Sequence, residues 1–145
     1  MKKRILTGIL LLGALAMVLA GCASTPTFQG TGSKSTEVTL RLVTMEGEKL
    51  YDGKVKVVDD NPMAYMALKA AAQEKKLTLD ITDESDPARM FLNGINDLKS
   101  ANPAFWMIYI NKYAATAGMG AQPISANDVV EFIYGDYNKG YSDIK

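Results

Sequence analysis

The sequence predicts an α+β domain: a mixed sheet with one helix packed across a single face. Three observations carry this. Apolar and polar residues alternate in several short runs, only one segment has helical periodicity, and that segment falls between the second and third alternating runs.

The first run is Val38, Leu40 and Leu42 alternating with Thr39 and Arg41, the pattern of a strand with one buried face. Gly47 and Tyr51-Asp52-Gly53 mark turns, and Lys54-Val55-Lys56-Val57-Val58 is close enough to pair with the first run as a hairpin. Next, Asn61 is expected to cap a helix whose first residue is Pro62, where a missing N–H costs nothing. Asp59 and Asp60 fit the same helix start by their charge. The helix is expected to reach Glu74 or Lys75. Its stripe of Ala64, Ala67, Leu68, Ala71 and Ala72 is small enough to lie close to a sheet. Lys75 and Lys76 favour the negative end of its dipole.

Beyond the helix, Leu77 to Ile81 alternates again and Thr82 to Pro87 reads as a polar loop. Strands are expected around Met90 to Ile95, Phe105 to Ile110 and Val129 to Tyr134, and the stretch from Gly135 to Lys145 has no clear period. There is no internal repeat.

The N-terminal region has a different character. Lys2, Lys3 and Arg4 precede an apolar run from Ile5 to Ala20, and Leu19-Ala20-Gly21-Cys22 resembles the lipobox of bacterial lipoproteins. Residues 1–21 are therefore expected to be a signal peptide, with Cys22 lipidated. The alternative, a membrane-spanning anchor, would need a slightly longer apolar run. Cys22 is the only cysteine, so an internal disulfide is excluded. Residues 22–36, rich in Ser, Thr, Gly and Pro, are expected to form a flexible tether with a mean span on the order of 20 Å. The expected location is the outer face of a bacterial cell membrane, or the outer membrane in a Gram-negative cell. Loss of the signal leaves 13 basic against 16 acidic residues, a balance that excludes a nucleic-acid partner.

From Phe91 onward, Phe91-Leu92-Asn93-Gly94-Ile95, Phe105 to Asn111, Tyr113, Gly118 and Asn127 to Tyr134 resemble the transcobalamin-like C-terminal module of bacterial surface lipoproteins (DUF4430). With the helix, the resemblance covers residues 37–137, leaving 138–145 as a tail. Trp106, Asn111 and Asp128 keep the family pattern, whereas Lys112 and Asn127 stand where it has glycine. The resemblance implies a β-grasp-like fold and a corrinoid as candidate ligand. It does not bring the large helical domain that supplies much of the site in vertebrate cobalamin carriers.

No histidine is present, so Ser/His/Asp and Cys/His catalysis and His-based zinc sites are excluded, and a non-enzymatic protein is expected. The strongest binding candidate is the aromatic strand and its following loop: Trp106, Tyr109, Asn111, Tyr113, Met119 and Gln122. Trp106 has a core reading beside the binding one. Tyr109 should lie on the opposite face and be exposed. The loop from Tyr113 to Pro123 suits either function or a plain crossover. Asp80, Asp83, Glu84 and Asp86 offer hard oxygen ligands for Ca²⁺, or form a solvated acidic turn. Tyr134, Tyr137 and Tyr141 either present a contact surface or cover the sheet edge. The expected partners are a membrane through the lipid, a small-molecule ligand, and a transporter or other envelope protein.

Overall fold

The structure is a computed structural model that describes residues 23–145; the signal segment and Cys22 lie outside the described residues. Strand β2 (Ser35–Thr44) turns its even-numbered residues, Thr36, Val38, Leu40 and Leu42, into the core. It forms the expected antiparallel hairpin with β3 (Lys49–Val58), which buries Tyr51, Val55 and Val57. Helix α1 (Ala64–Lys75) crosses this part of the sheet and buries all five residues of the predicted stripe together with Met66 and Ala70. Its small side chains bring the backbone close to the strands.

The remaining elements are β4 (Leu79–Thr82), β5 (Phe91–Ile95), β6 (Leu98–Lys99), β7 (Ala104–Ile110), β8 (Tyr113–Ala114) and β9 (Val129–Asp136). A short strand, β1 (Thr27–Gln29), precedes them all. The main sheet has the order β1-β3-β2-β9-β7-β8, with β1 parallel to β3, β9 parallel to β2 and β7 antiparallel to β9. The architecture is thus the α+β mixed sheet with one helix on one face. A refinement is that β4, β5 and β6 leave the main sheet and form a second, three-stranded one.

The principal core lies between the sheet and α1. Leu40, Leu42, Leu68, Ile95 and Phe132 are fully buried, each worth about 1.5–3 kcal/mol relative to exposure. A smaller cluster of Val43, Met45, Tyr109 and Ile133 occupies the opposite face. The C-terminal segment covers it through Ile144 and Tyr141, the latter in a 3-10 turn (Tyr141–Asp143).

Two expectations are corrected. The segment read as a flexible tether is largely structured. Thr27–Gln29 pairs with Lys56–Val58, the Pro26 carbonyl accepts from Lys56 N–H at 2.8 Å, and Ser35 and Thr36 belong to β2. The side chains that hold it are Asp59, which accepts from Thr31 N–H at 3.1 Å, and Asp60, which accepts from Ser33 and Lys34 N–H groups. These two carboxylates therefore fix a loop rather than start the helix. Nor does Asn61 cap it. The N-cap is Met63 with no side-chain bond, and the N–H groups of Ala64 and Tyr65 donate to the carbonyls of Gln122 and Met119, at 2.9 and 3.1 Å. A distant loop satisfies the orphan donors that the sequence assigned to a local side chain.

Candidate functional site

The cleft forms where one sheet edge is left open. Strand β8 pairs with β7 only at Tyr109 and Ile110, so the edge of β7 from Phe105 to Ile108 has no partner strand. Short as it is, β8 follows from its turn. Asn111 and Lys112 have φ of 51° and 73°, the pattern of a two-residue hairpin with both central residues left-handed. The chain then passes the edge once more, with Ala115 N–H donating to the Ile108 carbonyl at 2.9 Å.

Opposite this edge stand Met90, Phe91 and Leu92, and the Ala114–Met119 stretch and Tyr137 complete the wall. The cavity measures about 390 Å³ and is mainly apolar, at the small end of the ~300–1,000 Å³ range of small-molecule pockets. The loop wall is fixed rather than loose. Gln122 Oε1 accepts from Thr116 N–H at 3.1 Å, and Gly120 approaches Pro87 so closely that a Cβ would lie 2.4 Å from the Pro87 carbonyl oxygen. Only glycine fits there.

The structure brings Trp106, Tyr109 and Met119 together on this cleft. Trp106 is also core: it is 6% exposed, its indole N–H donates to the Leu98 carbonyl at 3.0 Å, and its ring meets Tyr134 at 5.2 Å. This residue is therefore core and cleft wall at once. Tyr109 does lie on the opposite face from Trp106, but the expected exposure is overturned because Tyr141 packs edge-on against it at 5.1 Å. Asn111 and Gln122 serve the backbone. The Asn111 amide donates to Asp128 Oδ1 and accepts from Val129 N–H, each at 2.8 Å, so it ties the hairpin turn to the start of β9. Tyr113 is 79% exposed and is not among the residues that line the cleft.

Sequence reasoning passed over Phe91, Met107 and Tyr137 as cleft residues. Among the described residues, Phe91 and Tyr137 are two of the three large apolar side chains left exposed, and Tyr137 meets Phe105 edge-on at 5.7 Å. Their signal lay in strand alternation: Phe91 and Leu92 point to opposite faces, and one of them must face outward.

The acidic residues do not converge. Asp80 binds Lys99 Nζ and the Asn93 amide, at 3.1 and 3.2 Å; the Lys99 and Asn93 hydrogen bonds hold its carboxyl below the usual range. Asp83 pairs with Arg89, Glu84 with Lys69, and Asp86 accepts from Ala88 N–H. Among the described residues no three acidic side chains are grouped to hold a metal, and this corrects the Ca²⁺ reading. Each carboxylate already has a local partner.

The family described as a domain of unknown function (DUF4430) matches residues 63–136, from the residue before α1 to the end of β9. The chain belongs to this family. The DUF4430 stretch contains the helix, the second sheet and every residue that lines the cleft except Tyr137, while the β2–β3 hairpin precedes it. No curated protein matches the chain in sequence. Among solved structures, haptocorrin in complex with Cbi is similar at 13% identity with a TM-score of 0.60, over 74% of this chain and 27% of that one. The chain thus spans about a quarter of haptocorrin, and the likeness establishes a shared transcobalamin-like fold. A candidate metal binding protein from Ruminococcus gnavus ATCC 29149 aligns at 11% identity with a TM-score of 0.49, over 70% of this chain and 97% of that one.

Proposed function

We propose that this DUF4430 protein is a membrane-anchored, non-enzymatic module that holds a small, largely apolar ligand in the cleft beside β7. The observation that carries the reading is an apolar cavity bounded by an unpaired strand edge. Apolar walls supply burial, and the open edge offers main-chain donors and acceptors for amide groups on the ligand. A corrinoid combines a large apolar ring with peripheral amides, and the transcobalamin-like fold makes it the first ligand to try. At about 390 Å³ the cleft holds only part of a corrinoid, so a second surface must cover the rest. A transporter or other envelope protein fills that role.

Titration with cobinamide tests the ligand. Trp106 is the only tryptophan and sits on the cleft, so its emission is expected to fall as the ligand binds. Unchanged emission and corrin absorbance at high-micromolar ligand refute a corrinoid for the module on its own. The anchor is tested by intact mass of the protein extracted from membranes, which is expected to show cleavage before Cys22 and a diacylglyceryl group on it. A membrane-bound protein that keeps residues 1–21 and carries no lipid refutes lipidation.

A further inference from the structure

The segment after Cys22 is docked where a tether was expected, and this constrains how the protein stands on a membrane. Ala23, Ser24, Thr25 and Pro26 lie against Lys49–Asp52, Lys54 and the Glu74–Lys75 end of α1. Pro26 is already held by Lys56, and four Cα steps from Cys22 to Pro26 reach at most about 14 Å. Strand β1 is one edge of the main sheet, and the cleft strand β7 stands four strands away. At about 4.8 Å per strand the cleft is roughly 19 Å from β1, farther than the chain before Pro26 can compensate.

The two edges also differ in chemistry. All the large apolar side chains exposed among the described residues, Phe91, Tyr113 and Tyr137, belong to the cleft side. The β1 side carries Lys49, Lys54, Lys75, Asp52 and Glu74. Mixed charge suits a lipid headgroup layer, whereas exposed rings suit a ligand or protein.

We propose that the edge built by residues 23–29, the start of β3 and the last turn of α1 faces the lipid bilayer, so that the cleft opens away from the membrane. The inference rests on lipidation of Cys22. Its rival is the reverse pose, in which Phe91, Tyr113 and Tyr137 dip into the lipid.

The test uses the full-length chain, produced in a host that processes lipoproteins and reconstituted in vesicles with nitroxide-labelled headgroups. Intact mass first reports the diacylglyceryl group on Cys22. In the lipidated protein Trp106 is expected to keep its emission. A reporter at the β1 edge, Gln73→Trp in a Trp106→Phe background, is expected to lose most of its own. Gln73 is exposed and lies beside Ser24–Thr27. Inserting a Gly/Ser linker of about 20 residues after Cys22 is expected to erase the contrast, because such a coil spans on the order of 25 Å. A protein without lipid overturns the anchor and the orientation together. A lipidated protein whose Trp106 is quenched as strongly as the Gln73→Trp reporter overturns the orientation alone.

Discussion

Glu131 lies directly across from Arg41 in the parallel pairing of β9 with β2, and its side chain is only 1% exposed. The same row extends outward on both sides, from Asp52 through Arg41 and Glu131 to Tyr109. The guanidinium binds one carboxylate oxygen, while Oε2 has no partner among the described residues. Tyr141 lies over Tyr109, and its phenol is pushed up by burial and then by the neighbouring Glu131 carboxylate.

Removing the guanidinium is expected to be costly. Arg41→Ala leaves a sealed carboxylate without its counter-charge, a change that costs about 3–5 kcal/mol for a fully buried pair. Arg41 is 31% exposed, so roughly 2 kcal/mol is expected here. Urea midpoints measure it, and replacing both partners by Met is expected to recover most of the loss. A single-variant cost below about 0.5 kcal/mol argues against this account.

The hairpin turn gives changes of opposite sign. Asn111→Ala removes bonds to Asp128 and Val129 and is expected to cost about 1–2 kcal/mol. Lys112→Gly relieves a side chain held at φ 73° and is expected to stabilise by about 1 kcal/mol. Thermal melts of the two variants separate these directions, and a destabilised Lys112→Gly would show that the lysine does more than turn.

Much of the fold was legible before the structure. Alternation located β2, β3 and β9, and the small-residue stripe located α1, because both signals are written in adjacent residues. What escaped depends on distant partners. Asp59 reads as a helix-start residue until Thr31 is found beside it, and Asn61 reads as a cap until Gln122 and Met119 arrive from another loop. Trp106 and Met119 were legible as cleft residues from their place around an aromatic strand. Met107 was not, since nothing in the sequence says that β8 stops after two residues.

Acid is expected to weaken the protein through Asp59. Its carboxyl is held below the ordinary value of 3.8 by N–H donors on Asn61, Thr31 and Gly32. A folded-state value below the unfolded one gives stability that is fully present above the unfolded value and is lost as pH falls through the folded one. The melting temperature should therefore drop below about pH 4. Asp59→Asn should lower it at neutral pH and flatten the acid limb; an unchanged limb excludes Asp59 as a contributor.

A cavity in the core has a defined expected cost. Phe132 is fully buried on β9, and Phe132→Ala is expected to lose about 3–5 kcal/mol, measured by denaturant unfolding. A loss under about 1.5 kcal/mol would mean that the surrounding side chains collapse into the space.

The loop that caps α1 also walls the cleft: Met119 lines the cavity and lends its carbonyl to Tyr65 N–H. Occupancy and local opening of the helix are consequently linked equilibria. A bound molecule that packs against Met119 must slow amide exchange in the first turn, by a factor of 1 + [L]/Kd if that opening empties the cleft. The amides of Ala64 and Tyr65 thereby become reporters of a ligand they never touch, readable even for one that absorbs no light and leaves Trp106 undisturbed.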